Sequence, residues 1–257
     1  MKKITTKSLD STSISYTVSG NGDTAMLFIH GWLGNKSWWS EQIVFFENDY
    51  VVAAMDLRGH GESQMTDSFS LKTYAEDIAA VANELSAKKI ILIGHSMSGA
   101  YVLKAAELIP KLQSIIVVDT LKDLEFSFTD EQVDQFMDLY KNNFKMAVES
   151  ILPQYLFTES TPMNVKERLT KEFLAQTSIA KEAIEPLYRM DLKAQAQNVK
   201  VPLRAINSDN TPTNLEANRK YLKDYDFQEM KGTGHYPMLE KPYEFNEVLK
   251  KYATHIL

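Results

Sequence analysis

The sequence predicts an α/β protein with a mostly parallel central sheet and helices on both faces of that sheet. Five short apolar runs are each bounded by turn residues, as expected for strands buried on both faces: AMLFIHG, YVVAAMD, KIILIGH, SIIVVD and VPLRAIN. Helical patterns separate these runs, and strands that alternate with helices are typical of parallel sheets. A chain of 257 residues has room for one large domain with an insertion.

The composition narrows the classes of partner. A net charge of -6 without a basic cluster argues against nucleic acid and against a polybasic membrane patch, and favours a small molecule. Because the chain has no cysteine, it forms neither disulfides nor thiolate zinc sites, and it has no cysteine nucleophile. No stretch approaches the length of an integral membrane segment, and MKKITTKSLDSTSISY lacks the apolar run of a signal peptide. We therefore expect a cytoplasmic protein.

The two ends of the chain and one internal stretch give further elements. The first twenty residues alternate polar and apolar side chains and end in the turn SGNGD, which predicts a hairpin at the edge of the sheet. The stretch SLKTYAEDIAAVANELSA has apolar residues at spacings of three and four, and Ser70 is a candidate cap for this helix. The segment YEFNEVLKKYATHI predicts an amphipathic closing helix.

Residues 122–197 interrupt the alternation of strands and helices. The helix-like patterns TDEQVDQFMDLYKNN, TPMNVKERLTKEFLAQ and AKEAIEPLYRMDLKA follow one another with no strand run between them. We expect a core formed by residues 1–121 and 198–257, with a helical subdomain inserted after the sixth strand. The many aromatic and methionine side chains of this insertion either line a ligand pocket or pack its own small core.

Ser96 is the candidate nucleophile. It lies in ILIGHSMSGAYVL, between a buried strand and a helical pattern, which is the context of a nucleophile elbow. The elbow pattern has glycine two residues after the serine, whereas this chain has Ser98 there and Gly99 one position later. Serine is the next smallest suitable residue, so we expect the steric demand of the turn to be met.

His235 is the favoured general base. It follows a short strand and a glycine-rich turn in MKGTGHYPMLEKP. The other four histidines, His30, His60, His95 and His255, are expected to be structural. No histidine pair has metal-ligand spacing and no glycine-rich loop suits a phosphate, so the sequence indicates no metal and no cofactor.

Two backbone amides are candidates for the oxyanion hole. Trp32 follows the strand that ends in LFIHGW, and Met97 follows the candidate nucleophile directly. The indole of Trp32 either shapes the acyl pocket or packs the base of the loop.

Four motifs occur in the order HGW, MDLRGHGES, GHSMSG and GTGHYPMLEKP, and together they resemble the α/β-hydrolase superfamily over nearly the whole chain. The resemblance implies the α/β-hydrolase fold, with the inserted helices as a cap over the active site. It also implies a catalytic triad whose acid follows strand six or seven. Members with aspartate at the elbow are dehalogenases and epoxide hydrolases, so Ser96 excludes those reactions here.

The sequence leaves the triad acid open between two aspartates. In INSDNTPTN, after the seventh strand, Asp209 is out of register with the usual family pattern. Asp119 ends SIIVVD and occupies the alternative place after strand six, so it is favoured.

The leading hypothesis is a serine hydrolase that cleaves a carboxylic ester or thioester with an apolar acyl part, through an acyl-enzyme intermediate. A carbon-carbon bond hydrolase is an alternative, although that group usually has tryptophan after the catalytic histidine and this chain has Tyr236. A hydrolase-like small-molecule receptor with little turnover is the other alternative, because fold does not fix function.

Overall fold

Eight strands form one sheet in the computed structural model, which describes residues 1–255. The strands are β1 (Lys2–Lys7), β2 (Ser13–Gly20), β3 (Thr24–Ile29), β4 (Val51–Met55), β5 (Lys89–His95), β6 (Leu112–Val118), β7 (Leu203–Ser208) and β8 (Tyr225–Met230). Their order in the sheet is β1-β2-β4-β3-β5-β6-β7-β8. Strand β2 is antiparallel to both of its neighbours, and all the pairs in the series β4-β3-β5-β6-β7-β8 are parallel. The predicted mostly parallel sheet is confirmed, with the first hairpin at its edge.

Helices cover both faces of the sheet. Every residue of β3 and β4 is buried, which requires cover on both faces. The core helices are α1 (Ser40–Phe46), α2 (Leu71–Glu84), α3 (Met97–Ala105), α10 (Leu215–Tyr221), α11 (Pro237–Glu240) and α12 (Pro242–His255). Among them, α2 packs against α3, and α1 packs against α12.

Ser70 caps α2, as its position in the sequence predicts. Its side chain accepts a hydrogen bond from the Thr73 amide, and the Thr73 side chain accepts one from the Ser70 amide. This reciprocal pair satisfies two amides at the start of the helix.

Across the described residues, no helix is both long and apolar enough to cross a bilayer.

Residues 119–202, between β6 and β7, contain helices and no strand. Residues 122–197 are called the cap from here on. Its helices are α4 (Asp130–Asn142), α5 (Phe144–Met146), a π-helical turn (Ala147–Ile151), α6 (Pro153–Leu156), α7 (Met163–Leu174), α8 (Ala180–Tyr188) and α9 (Leu192–Gln197). The core strands on either side of this insertion, β6 and β7, pair with each other, so the cap leaves and re-enters the sheet at adjacent positions.

Candidate active site

Ser96 lies in a sharp turn between β5 and α3. Its backbone has φ 52° and ψ -117°, a conformation that residues other than glycine rarely adopt. The Ser96 amide donates a hydrogen bond of 2.9 Å to the Val118 carbonyl, which fixes the turn to the neighbouring strand β6. A strained turn of this kind projects the serine hydroxyl above the carboxyl edge of the sheet.

Small residues around this turn allow close backbone packing. A side chain on Gly94 would place its Cβ 2.8 Å from the Ser98 carbonyl oxygen, and one on Gly99 would place it 2.1 Å from a methyl group of Thr120. Ser98 itself is fully buried, and its hydroxyl donates to the His30 carbonyl. The serine that replaces the usual glycine therefore fits, and it ties the turn to the HGW loop.

A chain of hydrogen bonds joins Ser96, His235 and Asp119. The distance from Ser96 Oγ to His235 Nε2 is 2.8 Å, and from His235 Nδ1 to Asp119 Oδ2 it is 2.6 Å. With Asp119 ionised, the Nδ1 hydrogen is donated to the carboxylate, which leaves Nε2 to accept the serine hydroxyl. This tautomer is the one that can remove a proton from Ser96.

Asp209 is not part of this chain of hydrogen bonds. It is exposed, and its Oδ1 accepts a hydrogen bond of 2.9 Å from the Gly232 amide. Strands β7 and β8 are neighbours, so the loops that follow them meet and bring these two distant residues together.

The second oxygen of the Asp119 carboxylate has two further partners. Oδ1 accepts hydrogen bonds from the Ser208 amide at 2.7 Å and from Lys122 Nζ at 2.9 Å. Burial raises the pKa of Asp119, but the hydrogen bond from His235 and the positive charge of Lys122 together lower that pKa by more. The pKa of Asp119 therefore lies well below its usual range. Asp119 is therefore an ionised, rigidly held carboxylate at neutral pH.

The main chain of His235 is held on both sides. Its amide donates a hydrogen bond of 2.8 Å to the Leu156 carbonyl in the cap, and its carbonyl accepts one of 2.8 Å from His95 Nε2. Burial, together with the nearby His235, lowers the pKa of His95 to about 3, so His95 is neutral. The histidine next to the nucleophile thus orients the loop of the candidate base.

Two other histidines also have structural contacts. The Leu57 amide donates to His30 Nε2 at 3.0 Å, and His60 Nδ1 lies 2.8 Å from the Arg58 carbonyl. Burial lowers the pKa of His60 to about 4 and holds the pKa of His30 well below its usual value. The side chain of His255 lies outside the described residues.

Trp32 and Met97, whose amides are the candidates for the oxyanion hole, both lie close to the nucleophile. Met97 is the first residue of α3, and a Cβ on Gly31, beside Trp32, would lie 3.1 Å from Ser96 Cβ. Among the backbone hydrogen bonds that residues 1–255 form outside the helices and strands, none has the Trp32 amide or the Met97 amide as its donor. The indole of Trp32 donates a hydrogen bond of 2.8 Å to the Ala180 carbonyl, so this side chain anchors the cap.

Sequence reasoning missed Glu240, which holds the histidine loop. Its Oε2 accepts hydrogen bonds from the Gly234 amide at 2.9 Å and from Thr161 Oγ1 at 2.8 Å, and its Oε1 accepts one of 3.1 Å from the Tyr236 amide. The carboxylate thereby joins the two residues beside His235 to the cap. A carboxylate inside the apolar stretch YPMLEKP was the available signal.

Glu240→Gln is expected to lower the free energy of unfolding by about 1–3 kcal/mol, because an amide cannot accept at both ends and one buried amide hydrogen loses its acceptor. Urea unfolding checks this value. Glu244→Gln is the matched control, since that side chain is 65% exposed. Equal stabilities of the two variants would contradict a bracing role for Glu240.

Comparison with known proteins places this arrangement among related folds. A sequence model described as alpha/beta hydrolase fold matches residues 24–211. The chain is 25% identical to the Karrikin insensitive 2 receptor IA of Petunia hybrida, with 94% of each chain covered. It is also 25% identical to the pimeloyl-(acyl-carrier protein) methyl ester esterase of Wigglesworthia glossinidia brevipalpis, over 91% of this chain and 95% of that protein. A thermophilic esterase structure from Thermogutta terrifontis superimposes with a TM-score of 0.85 at 20% identity, covering 100% of this chain and 99% of that chain.

Proposed function

The chain belongs to the alpha/beta hydrolase fold family, and we propose that within this family it is a serine hydrolase that cleaves a carboxylic ester or thioester. The observation that carries the proposal is the hydrogen-bonded chain from Ser96 through His235 to Asp119. The esterase named among the relatives, which aligns over 91% of this chain, supports the same reaction class.

The geometry gives each group a role in acyl transfer. His235 Nε2 takes the proton of Ser96 as the serine oxygen attacks the carbonyl carbon of the substrate. The amides of Trp32 and Met97 donate hydrogen bonds to the oxyanion that forms. His235 then gives its proton to the leaving alcohol or thiol as the ester bond breaks, which leaves an acyl group on Ser96. In the second half of the reaction, His235 activates a water molecule that hydrolyses the acyl-enzyme.

Asp119 supports both halves of this reaction from behind the histidine. Its carboxylate holds the imidazole by the Nδ1 hydrogen, and it stabilises the positive charge that the ring gains in each transition state.

Tyr236, where carbon-carbon bond hydrolases usually have tryptophan, is buried and packs against Trp38 and Phe157. Its packing role gives no independent support to that alternative.

We place the acyl part of the substrate beside Trp32, where the cap meets the core. The indole ring centroid lies 4.8 Å from that of Tyr140 and 6.0 Å from that of Phe144, and both of these cap residues are buried. Phe144 also borders a hollow of about 590 Å³ in the cap.

Phe144→Leu is expected to change the preference for acyl length by at least about fivefold, because the smaller side chain leaves space against Trp32. The measurement is kcat/KM for p-nitrophenyl acetate, hexanoate and dodecanoate. Phe126→Leu is the matched control, since Phe126 is 62% exposed. Equal losses on all three esters would instead show general damage to the cap, and the proposed position of the acyl group would be wrong.

The experiment that tests the function is labelling with a fluorophosphonate, followed by turnover of the same esters. We expect the label on Ser96 and measurable hydrolysis. The receptor is the second candidate, favoured by the similarity to the Petunia hybrida receptor over 94% of both chains. Labelling of Ser96 without appreciable turnover on any ester would favour the receptor over the esterase.

A further inference from the structure

We propose that Lys122 is a positioning residue for the catalytic cluster. Acting through Asp119, its ammonium group lowers the pH at which the imidazole of His235 takes up a proton. The catalytic consequence rests on the proposed function, whereas the effect on the titration of His235 does not.

The ammonium group of Lys122 is fixed by three oxygen atoms. Nζ lies 2.9 Å from Asp119 Oδ1, 3.0 Å from Ser208 Oγ and 3.2 Å from the Ser208 carbonyl oxygen. These contacts match the three hydrogens that an ammonium group can donate. The backbone turns back between the two charged residues, with φ 46° at Asp119 and 51° at Leu121, and this brings Lys122 beside the carboxylate.

Low exposure strengthens the interaction between the two charges. The Lys122 side chain is 15% exposed and that of Asp119 is 5% exposed, so solvent screens this pair less than an ion pair at the surface. Both partners of Lys122 lie at the ends of adjacent strands, because Asp119 follows β6 and Ser208 ends β7. The sheet therefore holds the two partners close together.

One carboxylate thus joins the ammonium group to the imidazole. Lys122 contacts Oδ1 of Asp119, while His235 contacts Oδ2. The carboxylate alone would stabilise the protonated imidazole, but the ammonium group on its other oxygen offsets part of that negative potential. Lys122 therefore disfavours the protonated ring in the resting protein, and its removal should raise the pH at which the ring titrates.

The neighbouring ionisable groups do not duplicate this cation. His95 and Tyr236 are neutral, because burial lowers the pKa of the first to about 3 and raises that of the second well above its usual value. The carboxylates that face the same region from the other elements all have backbone or amide partners of their own: Glu240, Asp209 and Asp123.

The direct test is an NMR titration of the His235 ring, assigned by comparison with His235→Gln. In Lys122→Met, we expect the titration midpoint to rise by about 0.5 to 1 pH unit, since a neighbouring charge shifts a titration by about one unit or more, and the intervening carboxylate and partial exposure reduce this effect. Lys122→Gln, which can still donate to Ser208, should show the same rise if the methionine variant does not fold. Lys122→Arg keeps the charge and should stay close to the wild type.

Lys220→Met is the matched control. It also removes one positive charge, but Lys220 pairs with Glu125 at the surface, with side chains 51% and 42% exposed. An unchanged midpoint in the folded Lys122 variants, or an equal rise in Lys220→Met, would overturn the proposal.

The kinetic test is the pH dependence of kcat/KM on p-nitrophenyl acetate. We expect the acid limb to move to higher pH in Lys122→Met by the same amount as the titration midpoint. A residue that only braces the loop would lower the rate at every pH without moving the limb, and that result would refute the catalytic part of the proposal. If the wild type hydrolyses no ester, the proposed function fails, while the titration of His235 still decides the role of Lys122.

Discussion

Ser96→Ala is expected to lower kcat for p-nitrophenyl acetate by about 10⁴-fold or more, because alanine removes the hydroxyl of the proposed nucleophile. The fold should be retained. The Ser96 hydroxyl is hydrogen-bonded to His235 alone among the described side chains, and alanine places no additional atoms in the turn. Steady-state kinetics with a thermal melt of the same sample measure both effects.

The matched control for this substitution is Ser114→Ala on β6. Ser114 is fully buried, and its hydroxyl has no hydrogen-bond partner among the described residues. Removing that hydroxyl breaks no hydrogen bond, so we expect kcat to stay within a factor of about two of the wild-type value. If Ser96→Ala kept more than a tenth of the wild-type rate, another side chain would have to be the nucleophile.

The sheet was predictable because burial leaves a strong pattern in the sequence. The runs that became β3 to β6 are apolar along almost their whole length, as the central strands of a parallel sheet must be. Strand β8, Tyr225–Met230, is harder to find. It lies at the edge of the sheet with only its two end residues buried, so its sequence YDFQEM has no continuous apolar run.

The candidate site was predictable only where its residues lie in local motifs. Ser96 lies in GHSMSG and His235 in GTGHYPMLEKP, two glycine-containing motifs that the sequence reveals. Lys122 and Glu240 gave a weaker signal, because each also contacts a segment that is far away in the chain. The Ser208 partner of Lys122, for example, lies 86 residues away. Such pairs depend on which strands become neighbours, and the sequence of one loop does not contain that information.

The two aspartates illustrate the same limit. Asp119 follows β6 and Asp209 follows β7, and these strands are adjacent, so both carboxylates begin near the carboxyl edge of the sheet. Their surroundings then separate them. Asp119 points back to His235 from a left-handed backbone conformation at φ 46°, whereas Asp209 turns toward the loop that follows β8.

Asp119→Asn is therefore expected to lower kcat on p-nitrophenyl acetate by at least about a hundredfold, and by up to about 10⁴-fold. The asparagine amide can donate to Nδ1 and so favour the tautomer in which Nε2 carries the hydrogen and cannot accept the serine proton. The substitution also leaves the ammonium group of Lys122 beside the imidazole without the intervening negative charge, which destabilises the protonated ring in the transition state.

Asp209→Asn is the matched control, with the same change of atoms and charge at the end of the neighbouring strand. Its remaining carbonyl oxygen can still accept the hydrogen bond from the Gly232 amide, so we expect a loss of less than tenfold. Losses in the opposite order would place the triad acid after β7, and the contact between Asp119 and His235 would then be structural. Comparable large losses would mean that both carboxylates act on the histidine. The loops after β7 and β8 would then have to rearrange when substrate binds, because Asp209 now accepts the hydrogen bond from the Gly232 amide.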